Sequence, residues 1–175
     1  TKVAVDFQAL TSEGGDNCVK RNLEALREAT AVDAICIALF DAEKQTVERV
    51  ASATALFTPF DPQVLKGDPL ERTPYLANSL GHLRILELRD TLAPRRELAA
   101  DAARFAELGI RSMLICGFSL RGRVSGFMAL CSTQPRAGWD ANLHLLLKLV
   151  GASFATGLER LRVQRYLSRL EERND

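Results

Sequence analysis

From Leu143 towards the end of the chain, apolar side chains recur every three or four positions: Leu143, Leu147, Val150, Phe154, Leu158 and Leu161 track one face. That period predicts a long helix. Asp140 is placed to cap its first turn, and Leu146, Leu149 and Ser153 widen the stripe. A shorter helix is predicted up to about Thr30, with Asp16 or Asn17 as N-cap. Val19, Leu23, Leu26 and Ala29 or Thr30 form its apolar face. Ahead of it, residues 3–10 open a first helix that Gly14-Gly15 interrupts.

Between these helices the pattern changes. Residues 34–40 (Ala-Ile-Cys-Ile-Ala-Leu-Phe) are continuously apolar and rich in β-branched positions, the mark of a central strand buried on both faces. A turn over 41–45 leads to a partner strand over 46–53, with polar residues interleaved. Residues 54–70 carry Pro59, Pro62 and Pro69 and read as irregular. Thr73-Pro74 then starts a short helix, Thr as cap and Pro in the first turn, that ends near Gly81. A short edge strand follows over 83–88. Residues 94–108 read as helical, in two pieces broken near Ala100 or Asp101. Gly109 supplies a left-handed stop and Ile110 the apolar contact that accompanies it. A second hairpin spans 111–132, turning at Arg121-Gly122. Gly117 and Gly126 within it mark bulges or close backbone approach.

Composition narrows the function classes. In 175 residues, 47% hydrophobic and 26% charged positions describe an ordinary globular chain of one domain. A net charge of +1 gives no field that would recruit nucleic acid or an acidic membrane. No apolar run nears the ~20 residues of a membrane span, and no signal peptide is visible. The chain lacks an initiator Met and ends on a charged helix, as a piece of a larger protein would. Cys18, Cys36, Cys116 and Cys131 contain no C-x-x-C pair, so zinc-ribbon and redox motifs lack their signature. Three of them sit in apolar strands, which suits reduced, buried thiols in a cytoplasmic protein. Neither a phosphate-binding G-x-x-x-x-G-K-[ST] nor a G-x-G-x-x-G is present, and no nucleophile–base set assembles. An enzyme is not expected.

The order of helix, hairpin, variable middle, hairpin and long helix resembles a GAF domain, a regulatory module of bacterial signalling proteins. The residues similar to that family's pattern are Leu23-Glu-Ala-Leu26, Leu108-Gly-Ile-Arg-Ser112, Gly122 with Gly126, and the run from Trp139 to Leu161. Together they cover about residues 16–162, so residues 1–162 form one GAF-like domain and 163–175 extend its last helix. The resemblance implies an α+β fold: a central antiparallel sheet of five or six strands, terminal helices on one face, and short helices and loops over the other. It also implies a ligand pocket between the sheet and the middle segment, with Tyr75, Asn78, His82, Arg84, Arg104, Phe105, Met113 and Cys116 as candidate lining. The chain departs from the family in three ways. The Asn-Lys-x-Phe-Asp-Glu signature of cyclic-nucleotide binders is absent. Residues 54–110 contain no Cys for covalent bilin attachment there. The cysteines do not match the arrangement of sulfoxide-reducing relatives. No cofactor is named by the sequence.

Each candidate has a plain alternative. His82 suits a ligand contact or a polar surface position. His144 sits one turn into the last helix and reads as structural or exposed. Cys116 and Cys131 lie on paired strands, where they could meet as a redox pair, yet no neighbouring cation lowers either thiol's pKa, which points to inert core. Arg84, Arg89, Arg95, Arg96 and Arg104 suit an anionic ligand or a solvated face partnered by Glu87, Asp90, Glu97 and Asp101. Beyond Leu158 and Leu161, Val163, Leu167 and Leu170 recur amid charges, the narrow seam of a coiled coil. The expectation is a sensory or regulatory domain with a small-molecule ligand, dimerising through its terminal helices to control a downstream output domain. A ligand-free dimerisation module and a sulfoxide-reductase-like enzyme are the alternatives.

Overall fold

The computed structural model describes residues 15–41, 43, 45–81, 85–120 and 123–174. The helix expected over 3–10, His82, Arg84 and the turn at Arg121-Gly122 lie outside the described residues. Helix α1 (Gly15–Thr30) leads into strands β1 (Ala34–Asp41) and β2 (Thr46–Thr54). The middle segment holds two short 3-10 turns, helix α2 (Pro74–Gly81), strand β3 (Ile85–Leu88), a further 3-10 turn and helix α3 (Ala99–Glu107). Strands β4 (Ser112–Leu120) and β5 (Arg123–Ser132) follow, and helix α4 (Ala141–Asn174) ends the chain.

The five strands form one antiparallel sheet in the order β2-β1-β5-β4-β3. Successive side chains in a strand point to opposite faces, so a strand apolar at every position needs cover on both. Ile35, Ile37, Leu114, Cys116, Met128 and Leu130 pack with Val19, Leu23 and Leu26 of α1 and Leu147 and Val150 of α4. The alternate residues Cys36, Ala38, Met113, Ile115 and Phe127 pack on the other face with Phe60, Leu65, Leu76, Leu98, Ala102 and Phe105 of the middle segment.

Local chemistry sets the element ends. α3 closes on Gly109, whose φ is +89°. The Ile110 N–H donates to Phe105 O at 3.1 Å and the Gly109 N–H to Ala106 O at 3.0 Å, a Schellman cap. Asp140 Oδ1 accepts the Asn142 N–H at 2.9 Å and starts α4 as expected. Several expectations shift. α1 already begins at Gly15, which puts Asp16 and Asn17 inside its first turn. The two helical pieces before Gly109 meet between Leu98 and Ala99, because a 3-10 turn over Arg96–Leu98 runs straight into α3. The stripe of α4 that faces the sheet is narrower than read: Leu149 is 62% exposed.

Thr73 does not cap α2 with its side chain. Its hydroxyl donates back to Leu70 O at 3.4 Å. The cap comes instead from α3: Asp101 accepts the Tyr75 N–H at 3.1 Å and the Leu76 N–H at 2.8 Å. A carboxylate there satisfies donors that a helix start leaves orphaned and lies at the positive end of the helix dipole.

Gly126 is the position where close approach is required. It sits between Leu39 of β1 and Phe118 of β4, beside a register shift after Phe118. A β-carbon there would collide with the Ala38 carbonyl and lie 2.8 Å from the Phe118 ring. Gly126→Ala is therefore expected to destabilise the fold by about 2–3 kcal/mol through overpacking. Urea denaturation of the two proteins checks it, and a cost near zero would show that β1 and β4 yield freely.

Candidate functional site

The face of the sheet under α2 and α3 is where a pocket was expected, and several of the residues expected to line it lie there. Phe105 and Met113 are fully buried there, packed with Leu76, Leu86, Leu98 and Phe127. Tyr75 is half-buried at the edge of the same cluster, and Asn78 is exposed on α2. Cys116 is a correction. Strand alternation turns it to the opposite face, among the side chains under α1 and α4. Burial pushes its thiol up, an effect that the charge of Lys148 on α4 partly offsets.

The cysteine pairing is corrected with it. Cys116 stands opposite Met128 and Cys131 opposite Met113, so the two thiols leave the sheet on different sides. The neighbour of Cys131 is Cys36 on the same face. Both are buried, and the adjacent Cys36 thiol together with desolvation holds the Cys131 thiol well above the usual range. Protonated thiols packed in this way behave as small apolar side chains.

The arginines separate by role. Arg104 is engaged: Nε donates to Asp68 Oδ2 at 2.8 Å and Nη2 to Asp68 Oδ1 at 3.0 Å, a bidentate pair with both side chains about six-sevenths buried. It ties α3 to the segment that covers the outer edge of β2, where the Val47 N–H donates to Asp68 O. Arg89, Arg95 and Arg96 are exposed. Asp90 is held by Arg111, whose hydrogen bonds lower its carboxyl pKa. His144 is half-buried on α4. Among the described residues no three His, Cys, Asp or Glu gather as a metal site. No helix among them is long and apolar enough to cross a membrane.

Asp101 is the residue that sequence reasoning misplaced. Expected as a surface partner for arginines, it is fully buried and joins α3 to α2 over that face of the sheet. The available signal was a lone acid within Ala99-Ala-Asp-Ala-Ala103, a run otherwise small and apolar. Desolvation raises its pKa, against the backbone N–H groups of Leu76, Tyr75 and Asp101 itself that lower it. With a folded-state pKa above the unfolded one, its contribution to stability is full below the ordinary carboxylate range and is lost as pH rises through the folded value. Asp101→Asn keeps one acceptor and removes the titration. The margin of wild type over this variant is expected to be largest at and below about pH 4 and to shrink as pH rises. Asp101→Ala removes both acceptors and is expected to cost about 3 kcal/mol. Urea denaturation across a pH series tests both, and a margin that grew with pH would reverse the sign assigned to Asp101.

The residues expected to form a dimer seam all lie on α4. Val163, Leu167 and Leu170 are exposed, whereas the side chains of Leu158 and Leu161 fall outside those described. Every residue described between Arg160 and Arg173 is exposed, so this part of the helix stands clear of the sheet.

No family model and no curated protein matches the chain. Solved structures do. A protein in its far-red absorbing dark state with bound biliverdin superposes with a TM-score of 0.73 at 11% identity, over 91% of this chain and 96% of that one. The blue-light absorbing form of the PixJ GAF domain of Thermosynechococcus elongatus gives 0.67 at 17% identity, over 90% and 93%. Residues 122 to 287 of a methyl-accepting chemotaxis protein give 0.67 at 17% identity, over 93% and 98%. At these identities the likeness is one of fold, and it agrees with the sheet order, the two covered faces and the long final helix. The chain has the fold of a GAF domain.

Proposed function

We propose that this chain is a non-catalytic sensory or regulatory domain that dimerises through α4 and passes its state along that helix to a linked output domain. The observation that carries the reading is a second apolar stripe on α4, on the side away from the sheet. Leu145, Leu149, Ala152, Thr156, Val163, Tyr166 and Leu170 are all exposed, and with the half-buried Glu159 they follow one another at alternating steps of four and three. That is the 3.5-residue period of a coiled-coil seam, running for more than three heptads. Leu167 flanks it. Arg160, Arg165, Arg169, Glu171 and Glu172 supply the charged borders. A parallel pair of α4 helices would place both C-terminal ends side by side, where a cyclic-dinucleotide enzyme, a histidine kinase or a further sensor module could follow.

Two versions of this reading differ in what moves α4. In one, a small molecule lodges under α2, with Tyr75 and Asn78 at the rim and Phe105 and Met113 below. The packing there would have to open, and a ligand achieves that only by its higher affinity for the opened state. In the other, the domain needs no ligand and spaces its neighbours as a dimer. Two of the matching structures are described as light-absorbing forms and one as holding biliverdin, which keeps a bilin among the ligands to be tried. A thioether to residues 54–110 is not part of that trial, since they contain no Cys.

Native mass spectrometry, compared with the denatured mass, tests the reading. Wild type is expected as a dimer, and Val163→Glu with Leu170→Glu as a monomer of unchanged circular dichroism. Extra mass lost on denaturation supports the ligand-bound version, and a dimer at the bare polypeptide mass supports the ligand-free one. A monomeric wild type at micromolar concentration overturns the dimer.

A further inference from the structure

We propose that a cleft beside β3, formed by the end of that strand and the loop leading to α3, binds a small organic anion at the guanidinium groups of Arg89 and Arg95. The ligand is an acidic head, carboxylate or phosphate, on a short apolar body. The cleft shares Leu88 and Leu98 with the cluster under α2 and α3 but is lined by neither Tyr75, Asn78, Phe105 nor Met113, and the proposal does not rest on the signalling reading.

Its volume is about 390 Å³, the size of a small-molecule site. Its apolar walls are Leu88, Ala93, Pro94 and Leu98. Leu88 and Leu98 are buried members of the sheet's packed face, so this wall is rigid. The polar lining is two acids and two arginines, and they differ in how closely they are already held. Both acids that line the cleft already have close donors. Glu87 Oε1 accepts the Trp139 N–H at 2.6 Å. Asp90 accepts Arg111 Nε and Nη2, each at 3.2 Å, and the Leu92 N–H at 3.0 Å.

The two arginines that line it are held loosely. Arg89 Nε lies 3.9 Å from Glu87 and Arg95 Nη1 3.7 Å from Glu97, both longer than a hydrogen bond. Their side chains are about two-thirds exposed. A guanidinium presents a planar fork of donors that matches a carboxylate or phosphate in bidentate fashion. An anion with an apolar tail uses both the forks and the rigid wall.

The test is a ¹H–¹⁵N NMR titration of the full chain with hexanoate, hexyl phosphate and inorganic phosphate. The expected result is saturable shifts confined to residues 87–98 and their neighbours for the two hexyl probes, with Kd about 1 mM or tighter. Arg89→Ala and Arg95→Ala are each expected to weaken binding about tenfold. Arg96→Ala, an exposed arginine that does not line the cleft, should leave it unchanged. Tighter binding of hexanoate would assign the head as carboxylate, and tighter binding of hexyl phosphate would assign it as phosphate. The proposal is overturned if neither hexyl probe saturates by about 10 mM. It is also overturned if Arg96→Ala weakens binding as much as the other two variants, or if inorganic phosphate binds as tightly as hexyl phosphate. Either result would mark general attraction to a basic surface.

Discussion

Three adjacent strands, β1, β5 and β4, carry apolar side chains on both faces, and the architecture answers that requirement. A sheet apolar on one side needs one layer of cover; this one needs two. α1 and α4 supply the first, lying against Ile35, Ile37, Leu114 and Met128. The second is the middle segment, whose prolines prevent long regular elements and whose cover is therefore assembled from short pieces. Phe60, Leu65, Leu76, Leu98 and Phe105 come from five separate places between β2 and β4. Close approach at Gly126 lets β1 and β4 flank β5 tightly enough for both layers to seat.

Short pieces need links that long helices do not. Each isolated helix start leaves backbone donors without partners, and burial makes that costly. Asp101 resolves this for α2 by reaching across from α3. Arg104, one turn further along α3, ties the same helix to Asp68 and hence to the outer edge of β2. The α3 helix is thus the hub of the second layer: apolar on one side through Ala102 and Phe105, and polar in two directed contacts on the other. Its end is fixed by Gly109. A layer held this way is packed and hydrogen-bonded in its present state, which bears on how a ligand beneath α2 would have to act.

The long final helix serves two surfaces at once. Its inner stripe belongs to the core through Leu147 and Val150, and its outer stripe is exposed from Leu145 to Leu170. A helix gripped on one side by the sheet and free on the other is a physical route by which a change in the domain can reach a partner helix. Conversely, the cleft at β3 lies at the opposite edge of the sheet from β2, among side chains whose charges are only partly matched. The two surfaces ask for different chemistry, an apolar seam in one case and an anion in the other.

The sequence by itself determined the elements and most of their ends. Continuous apolar runs over 34–40 and 113–118, a 3.6-residue period after Asp140, and the punctuation of Pro74 and Gly109 are local signals, and local geometry obeys them. The GAF resemblance was legible in their order. Only the tertiary structure decided which face each side chain serves and which partner it meets. Cys116 and Cys131 sit on neighbouring strands yet point apart, because a period of two makes face depend on register, which no local signal fixes. Asp101 read as a surface partner and Arg104 as an anion contact or a solvated charge in one dimension. They became a buried cap and a largely buried ion pair because the groups they meet, the start of α2 and Asp68, lie 25 to 36 positions away in the chain. The buried cluster under α2 and the exposed outer stripe of α4 have the same origin: what is buried depends on what packs against it, and packing is a property of the whole fold.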